Sequence, residues 1–141
     1  MLWLHPIFQT LALLLSVFVL LLGWTRFAAV HLGRAGQFQW KRHVTLGALV
    51  LFTWLGGFFA GLGVAWLKWQ AVFFTGTHHR LALAMLPLIL FGLISGLIMD
   101  RSRKKRRWLP LVHGLNNALL VPAGCIQLAS GLLILLDYVL P

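Results

Sequence analysis

The sequence predicts an all-α protein, an integral-membrane four-helix bundle of up-and-down topology. Three observations predict it. Apolar residues make up 60% of the 141 residues and charged residues only 10%, against about 25% charged in an ordinary water-exposed domain. The apolar residues come in long blocks, not in the alternation of a strand or the single stripe of a surface helix. Tryptophan and basic residues collect at the edges of those blocks.

Four spans are expected, at about 6–25, 44–67, 81–99 and 110–136. At 1.5 Å per residue each is roughly 28–40 Å long, enough for a hydrocarbon layer of about 30 Å. The first span follows a Met-Leu-Trp-Leu-His-Pro start without a basic stretch. Its block from Ile7 to Trp24 exceeds a signal-peptide core and lacks an A-x-A site, so it reads as a true span. Arg26 closes it, and Lys41-Arg42 precede the second span, which Lys68 closes. His78-His79-Arg80 precede the third, and Asp100-Arg101 close it. Trp3, Trp24, Trp40, Trp66, Trp69 and Trp108 fall near span ends as an aromatic belt, with Trp54 alone in mid-span. Pro87 and Pro122 shape spans three and four locally. The four spans account for the chain as one transmembrane domain, residues 1–141.

Basic charge sets the expected orientation. Arg26, Arg34, Lys41 and Arg42 lie around the first connection, and Arg101, Arg103, Lys104, Lys105, Arg106 and Arg107 around the third. Ten of the twelve basic residues thus fall on one side, which the positive-inside rule makes cytoplasmic or stromal. Both termini then face the periplasm or a lumen, in a bacterial inner membrane or a thylakoid. The net charge of +10 serves orientation on this reading, and nucleic acid is not an expected partner. Gly57-x-x-x-Gly61 and Gly92-x-x-x-Gly96 are small-residue pairs that let helices approach, within the bundle or against a partner subunit.

Histidine placement carries the functional argument. His5, His43, His78 or His79, and His113 each open one span. An ionisable ring at the mouth of every apolar span is a cost that a plain anchor has no reason to carry, and neutral imidazole is a common axial ligand of haem iron. In an up-and-down bundle, spans one and three start on the outer face and spans two and four on the inner face. His5 then pairs with His78 or His79, and His43 with His113, giving sites for two haem b groups.

The residue four positions on shares the ligand's helix face. It is Gly47 for His43 and Ala82 for His78, but Leu83 for His79, which favours His78. Arg80 outside, and Lys41, Arg42 and Arg107 inside, are candidate partners for haem propionates. Asn116 and Asn117 follow His113 on the same face and are candidates for the haem periphery. His31 reads as an interfacial loop residue. Cys125 is one thiol in an apolar span, unable to form an internal disulfide or a cysteine-ligated cluster, and there is no C-x-x-C-H for covalent haem.

Short motifs carry a resemblance. Leu4-His5-Pro6, Lys41-Arg42-His43-x-x-x-Gly47, Phe74-Thr75-Gly76-Thr77-His78 and Val112-His113-x-x-Asn116 open the four spans. The pattern resembles the four-helix core of the cytochrome b561 superfamily. It is more similar still to a family of small four-span proteins from cyanobacteria and plastids. The resemblance implies electron transfer across the membrane between two b haems, with His5 and His78 on the outer iron and His43 and His113 on the inner. The two flanking helices of animal and plant b561 proteins are absent from this sequence, as is any recognisable ascorbate motif. The electron donor and acceptor are left open, a quinone or a redox protein; a small-molecule acceptor would make the chain a transmembrane oxidoreductase. Quinone chemistry also needs protons, for which His79 outside and His31 inside are the available groups.

The competing reading is a cofactor-free or pigment- or lipid-binding accessory subunit of a larger membrane complex; on either reading the partners are membrane lipid and a larger complex or a second copy of the chain. A transporter is disfavoured, because the spans lack an intramembrane carboxylate and the chain is too short for inverted repeats.

Overall fold

The computed structural model describes residues 3–102 and 104–140. Arg103 of the basic run therefore lies outside the described residues. Four helices follow in order: α1 (Leu4–His31), α2 (Trp40–Trp69), α3 (Thr77–Arg101) and α4 (Trp108–Tyr138). All four are long and apolar enough to cross a membrane, so this is a four-helix bundle of an integral membrane protein.

Each helix outruns its expected span by two to six residues at both ends. A hydropathy boundary marks where lipid ends, whereas backbone hydrogen bonding continues through the headgroup layer. Two expectations change as a result. Arg26 does not close the first helix but lies within it. His31 is not a loop residue; it is the last residue of α1, exposed, with its ring 4.8 Å from Phe27. His43 and His78 are likewise inside first turns rather than ahead of them, so helical periodicity applies to both.

Local chemistry explains the ends. Pro6 lies in the first turn of α1, where the missing N–H costs nothing. The chain leaves α1 through Gly33 at φ +62°, and Arg34 N–H donates to Ala28 O at 3.2 Å. Gly76, at φ +57°, turns the chain into α3. Helices α3 and α4 run unbroken through Pro87 and Pro122, as tolerated where neighbouring groups re-satisfy the backbone.

Helix α1 packs on α2 and α4, and α3 packs on α2 and α4; across the diagonals α1/α3 and α2/α4 the backbones stay apart among the described residues, and only side chains reach over. The core at mid-height draws on every helix: Ala12 and Leu13, Val50, Leu51 and Trp54, Met85, Ile89 and Leu93, and Leu120. Trp54 is 6% exposed, and its six-membered ring lies against Gly124 of α4. Outward faces carry Leu14, Phe52, Leu67, Ile94, Leu119 and Leu133, all exposed, as a lipid-facing surface requires.

Candidate functional site: two histidine layers

Polar side chains concentrate at the two ends of this core. His5 of α1 and His78 of α3 lie on one diagonal at the end that holds the 70–76 connection. His43 of α2 and His113 of α4 lie on the other diagonal at the opposite end. The His43 and His113 rings are 6.4 Å apart between centroids, at 71°.

Each of these four rings is seated on a glycine of the adjacent helix. A carbon placed at the Cβ position of Gly61 in α2 would lie 3.2 Å from His5 Cε1. At Gly23 in α1 it would lie 3.1 Å from His43 Cε1. In the second hairpin, Gly131 of α4 would bring it within 2.9 Å of His78 Cε1, and Gly96 of α3 within 3.6 Å of His113 Cε1. The seats are reciprocal within each helical hairpin, which also establishes that α1/α2 and α3/α4 run antiparallel.

A sequence regularity lies beneath this. His5 and Gly23, His43 and Gly61, His78 and Gly96, and His113 and Gly131 are each eighteen residues apart. Eighteen residues are about five turns at 3.6 per turn, so every helix presents its histidine and its glycine on one face. The two layers are roughly 27 Å apart along the axis by helix rise. Glycine is 14 of 141 residues, so one such spacing would mean little; four, all in contact across helices, are a design of the bundle. Sequence reasoning missed Gly23 and Gly131 and took Gly61 and Gly96 for packing residues.

The glycine four residues after His43 works differently from the expectation. A Cβ at Gly47 would lie 3.5 Å from Val19 Cγ1, so Gly47 admits α1, and the space beside the His43 ring comes from Gly23. The remaining glycines of the two G-x-x-x-G pairs also admit polar side chains. Gly57 receives the Gln9 amide, whose Nε2 donates to Thr53 O at 3.1 Å. Gly92 receives Asn116 and Asn117. Both pairs thus serve close approach inside the bundle.

Hydrogen bonds fix the ring tautomers. His43 Nδ1 lies 3.1 Å from Val19 O; a carbonyl only accepts, so Nδ1 carries the proton. His113 Nδ1 lies 2.8 Å from Ser95 Oγ, which gives its own hydrogen to Phe91 O at 2.5 Å. His78 Nδ1 lies 3.1 Å from Ser130 Oγ, which donates to Gln127 O at 3.0 Å. Both hydroxyls therefore accept from the imidazoles, and in a neutral ring the lone pair is left on Nε2. His78 Nε2 takes the Gln127 amide at 3.3 Å, while Gln127 Oε1 is buried with no partner among the described residues. His5 Nδ1 is buried and unpartnered among the described residues.

His78, not His79, is turned to α4; His79 packs against Phe73 at 5.6 Å. Asn116 is 7% exposed and donates to Leu88 O of α3 at 2.9 Å, and Asn117 Nδ2 donates to His113 O at 2.7 Å. These amides join α4 to α3 and hold the His113 turn. Arg80, Lys41, Arg42 and Arg107 are exposed. Arg42 bonds Gln39 Oε1 at 3.0 Å and Arg107 lies over the Trp108 ring at 5.7 Å. Cys125 is exposed on the lipid-facing side of α4.

The donor set is selective in what it fits. Among the described residues no three histidine, cysteine or carboxylate groups converge, so no site for a fully protein-ligated zinc is formed. Two imidazoles in a layer are too few to hold a bare ion alone and would suit a group that brings further donors of its own. No protein-family model matches the chain, and neither a curated protein nor a solved structure does.

Proposed function

We propose that the chain is a transmembrane electron carrier for two b-type haems, one that His5 and His78 would hold and one that His43 and His113 would hold. The observation that carries this reading is the fourfold arrangement of a histidine seated on a glycine of the next helix, two rings per layer. A structural histidine needs a hydrogen-bond partner, not a glycine seat repeated four times at one spacing. The resemblance to the cytochrome b561 core points the same way; with no relative found, the weight rests on the histidines.

When bound, haem supplies a one-electron ferric/ferrous couple. The chain's residues do the rest. Val19 O, Ser95 Oγ and Ser130 Oγ hold Nδ1 protons on His43, His113 and His78, leaving Nε2 of His43 and His113 as donors to iron. Gln127 has to turn away from His78 Nε2 for that nitrogen to ligate. Leu13, Leu51, Trp54, Ile89 and Leu120 keep water out of the interval between the layers. Trp54 lies in that interval as packing, not as a relay. Arg80 at one end, and Lys41, Arg42 and Arg107 at the other, are the cations available to propionates. By their charge the 32–39 and 102–107 connections face the cytoplasm or stroma, and lipid surrounds the exposed apolar faces. A quinone or a redox protein is the class of electron donor and acceptor.

The test is a dithionite-reduced minus oxidised absorption spectrum of detergent-purified protein from haem-supplied cells, with a pyridine haemochrome count. A b-type α band and about two haems per chain support the reading. Folded protein without haem overturns it and favours an accessory subunit; a chlorophyll or carotenoid spectrum favours a pigment carrier.

A further inference from the structure

The two hairpins build the same histidine–glycine seat but buttress the rings differently. In α1, the residue before the seat glycine is Leu22 and the acceptor for His43 is the Val19 backbone carbonyl. In α2 the corresponding residue is Ala60. In α3 and α4 it is a serine in both, Ser95 before Gly96 and Ser130 before Gly131. Those serines are the acceptors for His113 and His78.

A serine in an apolar helix ordinarily spends its hydroxyl hydrogen on a carbonyl one turn back. Ser95 does so to Phe91 O at 2.5 Å, with Gly92 O at 3.2 Å, and Ser130 to Gln127 O at 3.0 Å. The hydrogen being committed, each Oγ presents lone pairs to the facing Nδ1–H. Ser95 is 1% exposed, so water does not compete for its lone pairs. Because the glycine seat is the next residue, the ring is held between a hydroxyl acceptor and a backbone surface.

We propose that Ser95 and Ser130 are positioning residues that tune the iron ligands His113 and His78, one in each layer; this rests on the haem reading above. A partner accepting from Nδ1 fixes the tautomer and raises the basicity of Nε2. A more basic ligand stabilises ferric over ferrous iron, so each serine lowers the potential of its own layer only. Each layer thus combines one serine-buttressed ligand, from the second hairpin, with one from the first hairpin that has no side-chain acceptor among the described residues.

The test is a redox titration of the haem-loaded protein in detergent, with the two couples assigned by their loss in His113→Ala and His78→Ala. Ser95→Ala is expected to raise the inner couple alone, and Ser130→Ala the outer couple alone. A tenfold change in the ferric/ferrous equilibrium reads as about 59 mV for one electron, and a shift of that order is expected. Ser130→Thr keeps the hydroxyl and leaves the outer couple in place. Haem-loaded variants whose couples do not move, or whose couples move together, overturn the tuning role while leaving haem ligation standing. Wild-type protein with no haem couple at all overturns both.

Discussion

Alanine at Gly131 probes the tightest of the four histidine seats, and alanine at Gly96 the loosest. The added carbon would lie 2.9 Å from His78 Cε1, 3.4 Å from Nδ1 and 3.9 Å from Nε2. Ordinary carbon–carbon contact is about 3.5–4.0 Å, so the ring must retreat by roughly 0.6 Å or more. It is not free to do so, because Ser130 Oγ holds Nδ1 on the same helix. Overpacking of this kind costs about 1–3 kcal/mol. At 1.4 kcal/mol per factor of ten, that is roughly a five- to hundredfold loss of haem affinity in the His5–His78 layer. Alanine at Gly96 is the internal control. Its carbon would lie 3.6 Å from His113 Cε1, an ordinary contact, and alanine improves helix propensity by up to about 1 kcal/mol. The assay is a haem titration of the solubilised apoprotein, followed at the α band, with thermal melts of both variants. Gly131→Ala is expected to fill one of two sites weakly and Gly96→Ala to fill both. Equal behaviour of the two variants, or wild-type affinity in Gly131→Ala, would refute the seat argument.

Three other outcomes are expected. Gly57→Ala expels the Gln9 amide and breaks its bond to Thr53 O; pairing it with Gln9→Ala should recover part of the loss, with a coupling of about 0.5–3 kcal/mol by melt. His78→Ala should abolish one low-spin haem signal and His79→Ala neither, since only His78 is turned to α4; loss of a haem in His79→Ala reassigns the ligand. In a Cys125→Ala background, single cysteines at Lys104 and Thr75 should be labelled from opposite sides of right-side-out vesicles, Thr75 from outside; labelling of Lys104 from outside reverses the orientation.

The fold was legible because lipid imposes a coarse rule that four apolar blocks obey, and the helix number and order follow from it. The helix ends were not. Arg26 read as the close of the first span and His31 as loop because hydropathy drops there, yet the backbone of α1 continues past Arg26 and ends at His31. Likewise the histidines at the span mouths were legible, since a polar ring in that position needs a reason. Their seats were not, although the eighteen-residue offset was written in all four helices; its meaning depends on which helix lies opposite. Asn116 shows the limit most clearly. Its spacing from His113 gives a shared helix face correctly, but only the bundle reveals that α3, with Leu88 O, lies on that side. Ser95 and Ser130 were silent for a further reason: nothing in the sequence distinguishes a serine satisfied by its own helix from one that also accepts from a neighbour.

A two-haem carrier requires that the four histidines form two iron-binding pairs along the diagonals of the bundle. The measurement that tests it most directly is a count of low-spin b-type haem in wild-type protein and in His5→Ala, His78→Ala, His43→Ala and His113→Ala. Two centres are expected in the wild type, the same centre lost in His5→Ala and His78→Ala, and the other lost in His43→Ala and His113→Ala. A wild type without haem, or losses that pair neighbouring rather than diagonal helices, would contradict it.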